Sequence, residues 1–100
     1  MSQFILAPAA KADLAEIWMY YATEAGDPDL ADRMRDELFM SIRAVARSPG
    51  IGHLRRDLAD EPLRFHKVRS YLIINRGETK PVQIVRVLHG ARDVRAVLGS

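Results

Sequence analysis

Three residues, Gly26-Asp27-Pro28, constrain this chain more than any others. Before them Ala10, Leu14, Ile17, Trp18, Tyr21, Ala22 and Ala25 recur at i, i+4, i+7, i+8 spacing, one apolar stripe on a helix that begins after Pro8. After them Leu30, Met34, Leu38, Ile42, Val45 and Ala46 do the same. Gly26 is suited to end the first helix, where a left-handed residue closes the last turn. Asp27 can cap the free amides of the next, and Pro28 suits the first helical position, where its missing N–H leaves nothing unpaired. Ser48-Pro49-Gly50-Ile51-Gly52 stops the second helix. The expectation is an antiparallel helical hairpin with one apolar flank.

The rest of the chain changes period. Leu63 to Val68 alternates, Tyr71-Leu72-Ile73-Ile74-Asn75 is a short apolar run, and Val82 to Leu88 alternates again. Arg76 to Pro81 is a turn-forming stretch that makes the last two strands a hairpin. Phe4-Ile5-Leu6 reads as a short strand and Ala91 to Leu98 as a short final helix. The predicted order is β-α-α-β-β-β-α, an α+β fold in which the helical hairpin covers one face of a small, mainly antiparallel sheet. The other face is expected to stay open. Alternation puts Val85, Val87 and His89 on one side of their strand and Ile84 and Arg86 on the other, without saying which side meets the helices.

With 100 residues, 48% of them hydrophobic and 28% charged, the chain is expected to be one soluble globular domain, 1–100. Nothing approaches the roughly 20 apolar residues of a membrane span, and the first residues lack the basic start of a signal peptide. The absence of cysteine removes disulfides and thiolate chemistry. A cytoplasmic protein without cofactor or metal is expected. The charge is uneven: residues 1–50 hold five Lys/Arg against eight Asp/Glu, a net of −3, and residues 51–100 hold ten against five, a net of +5. Basic surfaces of this kind favour polyanions or acidic protein segments, unless the charges simply scatter over solvated faces.

His53, His66 and His89 show no metal-ligand spacing. Metal-free RNA cleavage would need a base, an acid and phosphate-binding cations, which His66, His89 and arginines 64, 69, 86 and 92 could supply; as solvated strand residues and ion-pair partners they need no such role. No serine sits in a nucleophile elbow, and Gly50-Ile51-Gly52 precedes no helix that could cradle phosphate. Trp18 and Tyr21 fall in the core stripe, whereas Tyr20 falls beside it as a rim contact.

Tyr71-Leu72-Ile73-Ile74-Asn75-Arg76, followed by Val82 to Asp93 with its Arg86-Val87-Leu88-His89-Gly90-Ala91-Arg92-Asp93 motif, resembles the C-terminal signature of ParE toxins, of the RelE/ParE superfamily of type II toxin–antitoxin systems. Ala12 to Trp18 resembles the family's usual start and Ser48 to Gly52 its loop after the hairpin, so the likeness spans roughly residues 4–96. Within the superfamily, RelE-like members are ribosome-dependent mRNA nucleases and ParE-like members poison DNA gyrase. Arg64 and Arg92 match basic positions of the nuclease set and His66 approximates another. The position after the strand tyrosine, arginine in those nucleases, is Leu72 here, and the late tyrosine of the last helix is Leu98. Those departures point to the ParE branch. The resemblance implies a non-enzymatic toxin that binds DNA gyrase and is neutralised by a ParD-like antitoxin, with no sequence-specific nucleic acid binding. A RelE-type nuclease is the alternative, and a structural module without toxicity is a third class. Arg64, His66, Arg69, Arg86, His89, Arg92 and Tyr20 are the expected partner-binding residues. An acidic, amphipathic antitoxin segment would meet the arginines.

Overall fold

Gly26 adopts φ 64° and Asp27 turns its carboxylate onto the chain ahead, Oδ1 accepting the Leu30 N–H at 3.0 Å. The helical hairpin therefore turns where its residues dictate. The computed structural model describes residues 3–99; Met1, Ser2 and Ser100, the ends of the expected domain, lie outside the described residues. The chain runs β1 (Phe4–Leu6), α1 (Pro8–Met19), α2 (Pro28–Arg47), β2 (His53–Leu54), β3 (Arg64–Val68), β4 (Tyr71–Arg76), β5 (Val82–His89) and α3 (Val94–Gly99). The expected order holds, with the two-residue β2 added between α2 and β3. Between α1 and Gly26 the helix widens into one π-helical turn, Tyr20–Glu24.

The sheet order is β1-β5-β4-β3-β2, with β1 parallel to β5 and the other pairs antiparallel. The hairpin covers one face, where Leu14, Leu38, Ile42 and Val45 pack on Val68, Ile73, Val82, Ile84 and Val87. Leu38 and Ile42 are fully buried, each worth roughly 1.5–3 kcal/mol relative to exposure. Trp18 does not join this core as the stripe suggested. It is half-buried and its indole N–H donates to Asp32 Oδ1 at 2.9 Å, bracing α1 to α2.

The opposite face is not left open. Ala59 and Leu63 of the β2–β3 loop and Val94 of α3 cover Phe65, Ile74 and Leu88 there, forming a second apolar cluster. Alternation also misjudged β5. Asn75 pairs with Ile84 but Ile74 pairs with Arg86, so an extra residue is inserted and the strand's facing flips partway. Ile84 and Val87 share the hairpin face as a result, and Val85 packs on the other side.

Candidate functional site

Asp13 organises the surface where α1 crosses β5. It is 4% exposed, and its carboxylate accepts the Arg86 guanidinium in a two-pronged bond, Nε to Oδ2 at 2.7 Å and Nη2 to Oδ1 at 2.8 Å. The Val87 N–H adds a third bond at 2.9 Å. A buried carboxylate needs this compensation, because desolvation would otherwise cost several kcal/mol. The bond to Asp13 holds the Arg86 pKa above its ordinary value although burial opposes it. Arg86, expected to bind a partner, is therefore a tie between helix and sheet.

Beyond this pair, the end of β5 meets the π-helical turn. His89 lies opposite Tyr71 in the β4–β5 register, its ring edge-on to the phenol with centroids 5.4 Å apart. Its Nδ1 accepts the Ala91 N–H at 3.0 Å, while Gly90 N–H donates to the Ser70 carbonyl at 2.7 Å. These bonds shape the exit from the strand and turn Arg92 outward. The Arg92 guanidinium has no hydrogen-bond or ion-pair partner among the described residues and is exposed. From the helix side, Tyr20 packs edge-on against Tyr21 at 5.2 Å, and the hydroxyls of Tyr71 and Tyr21 lie 3.3 Å apart. Burial, and then the bond to Tyr21, pushes the Tyr71 phenol well above its ordinary pKa. Tyr20 remains 55% exposed. Glu16, Tyr20, Tyr71, His89 and Arg92 line a shallow recess of about 170 Å³ at this junction. Single π-helical turns recur at functional sites, and this one presents an aromatic pair beside an unpaired arginine.

The structure thus brings Tyr20, His89 and Arg92 together around one recess, which Asp13, the partner of Arg86, also lines. Arg69 lies just past β3 at φ 54° and bonds Glu37 of α2 at 2.7 Å, a contact that raises its pKa. Arg64 and His66 stand apart, on β3 toward the far sheet edge. Arg64 donates to the Gly52 carbonyl at 3.0 Å and His66 is half-buried two residues on. The seven residues do not form one open cationic face. Sequence reasoning passed over Asp13, Glu16 and Tyr71. Asp13 carried a signal, an acid three residues after Ala10 on the flank that α1 buries.

Leu72 and Leu98 both pack against the second apolar cluster. Neither can offer a cation or a proton. Among the described residues no group of three or more His, Cys, Asp or Glu is placed to hold a metal ion, and no helix is long and apolar enough to cross a membrane.

A family profile described as the ParE toxin of type II toxin–antitoxin systems, parDE, matches residues 4–94. The chain belongs to the ParE toxin family. It is 37% identical over 103 aligned positions to Toxin ParE1 of Caulobacter vibrioides, covering 99% of this chain and 100% of that protein. Its fold matches a chain of the chromosomal ParDE toxin–antitoxin system from P. aeruginosa with a TM-score of 0.72 at 21% identity, covering 89% of this chain and 96% of that one. In this ParE toxin the Arg86 to Asp93 motif therefore builds the strand end and the turn that present His89 and Arg92.

Proposed function

We propose that this ParE toxin inhibits DNA gyrase by stoichiometric binding rather than catalysis, and that a ParD-type antitoxin encoded beside it neutralises it. The observation that carries the reading is the packing of Leu72 and Leu98 into an apolar cluster. These are the positions where the resembling nucleases place a phosphate-binding cation and an aromatic acid–base group, and electrostatic contacts of that kind are worth roughly 3–4 kcal/mol each to a transition state. Arg86 and Arg69 are already engaged by Asp13 and Glu37. What remains available at the π-helical turn is Arg92 with Tyr20, an arginine and an aromatic of the kind that anchors protein interfaces. Both encounters belong to the cytoplasm in this reading.

The test is to add the purified chain to a gyrase supercoiling reaction and, separately, to a ribosome translating a defined message. Supercoiling should stop at near-equimolar toxin with the message intact. Normal supercoiling together with codon-specific cuts in the message would overturn the proposal. Adding the operon partner should restore supercoiling and raise the melting temperature of the toxin, which is expected to purify mainly as that complex. A monomeric, well-behaved toxin whose melting does not change with the partner would count against the antitoxin half of the reading.

A further inference from the structure

The two helices of the hairpin differ on the side they turn to solvent. The outer side of α2 carries Asp29, Arg33, Asp36 and Arg43 around Met40, charged for the most part as a solvated helix face is. α1 buries Ala10, Asp13 and Leu14, and on its opposite side it exposes Pro8, Ala12, Ala15 and Met19. At 3.6 residues per turn those four fall within about 60° of one another. Met19 is 54% exposed. A surface helix that is apolar on both sides carries one face that its own fold does not cover. Two charges border this face, Lys11 on one flank and Glu16 on the other. Among the described residues neither side chain has a hydrogen-bond or ion-pair partner, and Glu16 only adds to the field at Arg86.

The face is its own complement. Pro8 and Met19, Lys11 and Glu16, and Ala12 and Ala15 are three pairs centred on one point, between Asp13 and Leu14. A two-fold axis through that point, perpendicular to α1, lays a second α1 antiparallel on the first. The rotation exchanges the ends of the helix and its flanks together. Lys11 then meets Glu16 of the second copy on one flank, and the reverse pair forms on the other. Ala12 and Ala15 sit at the crossing, small enough for the helix axes to approach to about 8 Å, and each Met19 covers the Pro8 opposite. We propose that the outer face of α1 is a two-fold interface with a second copy of this chain. Such an interface needs the complement of every group on the same surface, and this one has it in its apolar centre and in its charged flanks. An unrelated partner gives no reason for Lys11 and Glu16 to mirror each other about the alanines. The patch, about 18 Å by 10 Å, is well short of the roughly 800 Å² per partner of a standard interface. The dimer is therefore a weak one, forming at about 10–100 µM. It does not rest on the gyrase reading.

The test is sedimentation equilibrium of the full chain, freed of any antitoxin, at concentrations spanning that range. The wild type should pass from monomer to dimer. Lys11→Glu and Glu16→Lys each set like charges against one another on both flanks, and each should weaken association about tenfold or more. The two change net charge in opposite directions, so a general charge effect would drive them apart. Lys11→Glu/Glu16→Lys restores both pairs with their signs exchanged and should return the affinity to within about threefold of wild type. Ala12→Gln/Ala15→Gln keeps the charge and suits a helix, and should abolish the dimer by filling the crossing. All four positions are exposed. Melting curves identify a charge variant that fails to fold, and the glutamine pair then decides in its place. A wild type that stays monomeric throughout, a charge exchange that associates no better than its single variants, or a dimer indifferent to the glutamines overturns the proposal.

Discussion

Arg86→Ala removes one partner of a pair whose other member, Asp13, is buried beneath α1. The carboxylate left behind keeps only the Val87 N–H. Breaking such a pair costs about 3 kcal/mol, and a domain of this size should lose about 12 °C or more in melting temperature. Asp13→Leu/Arg86→Met should be less damaging than Arg86→Ala alone, which a double-mutant cycle read by thermal melts will check. Arg92 and Arg95 make the reverse comparison. Arg95 clamps α3 onto the β2–β3 loop, bonding the carbonyls of Arg56 and Asp57 at 3.2 Å and Asp60 at 2.8 Å. Arg95, and not Arg92, is thus the arginine that fastens the C-terminal helix. Arg92→Ala should therefore melt normally and lose roughly 1.5–3 kcal/mol in antitoxin or gyrase affinity, the value of a charged hydrogen bond. Arg95→Ala should lower stability by about 1 kcal/mol and leave binding per folded molecule unchanged. Calorimetric titration beside melting curves separates the two.

At the scale of elements, the π-helical turn and the β4–β5 end depend on each other. Tyr21 in the Tyr20–Glu24 turn meets the Tyr71 hydroxyl, and Tyr71 packs edge-on against His89 across the strand pair. The Tyr71 phenol titrates above the ordinary value of about 10 in the folded chain. A raised phenol favours folding fully below the unfolded pKa, and that contribution is lost as pH rises through 10 toward the folded value. Wild-type melting temperature should accordingly decline between pH 9 and 11 more steeply than that of Tyr71→Phe, which has no proton to lose. Parallel curves for the two proteins would remove this link between burial and titration. The bulge between Ile74/Asn75 and Ile84/Arg86 has a consequence of its own: it turns Arg86 and Val87 together toward Asp13. An unbroken two-residue alternation would send one of them to the far face.

Across the whole molecule, the acidic charge is confined to the first 37 residues of its half, and a net +5 belongs to the half that forms most of the sheet. The two signs meet across the fold in Asp13–Arg86 and Glu37–Arg69, which join residues 73 and 32 apart in sequence. The cations left without such partners are the ones available to other molecules. If the antitoxin brings an acidic segment to them, its association rate should fall about tenfold or more between low and high salt while its dissociation rate changes little, as for electrostatically steered partners. Stopped-flow mixing at several salt concentrations measures both rates. A salt-insensitive association rate would mean that the arginines do not guide the encounter.

The order of elements, the hairpin turn and the helical flank that meets the sheet were legible because each rests on neighbours a few residues apart: glycine's freedom at Gly26, the cap at Asp27, the 3.6-residue period of Leu30 to Val45. The family likeness was legible for the same reason, in a contiguous run ending at Asp93. The tertiary structure alone decided which cations are spent inside the protein. Arg86, Arg69 and Arg92 look alike as arginines in a basic stretch, yet Asp13 engages the first, Glu37 the second and no described residue the third. It also closed the sheet's second face with α3 and a loop, and gathered Tyr20, His89 and Arg92 at one junction while leaving Arg64 and His66 at another edge. Helix and strand periods are set by backbone geometry within a segment, whereas the partner of a charge is set by which segments the core brings face to face.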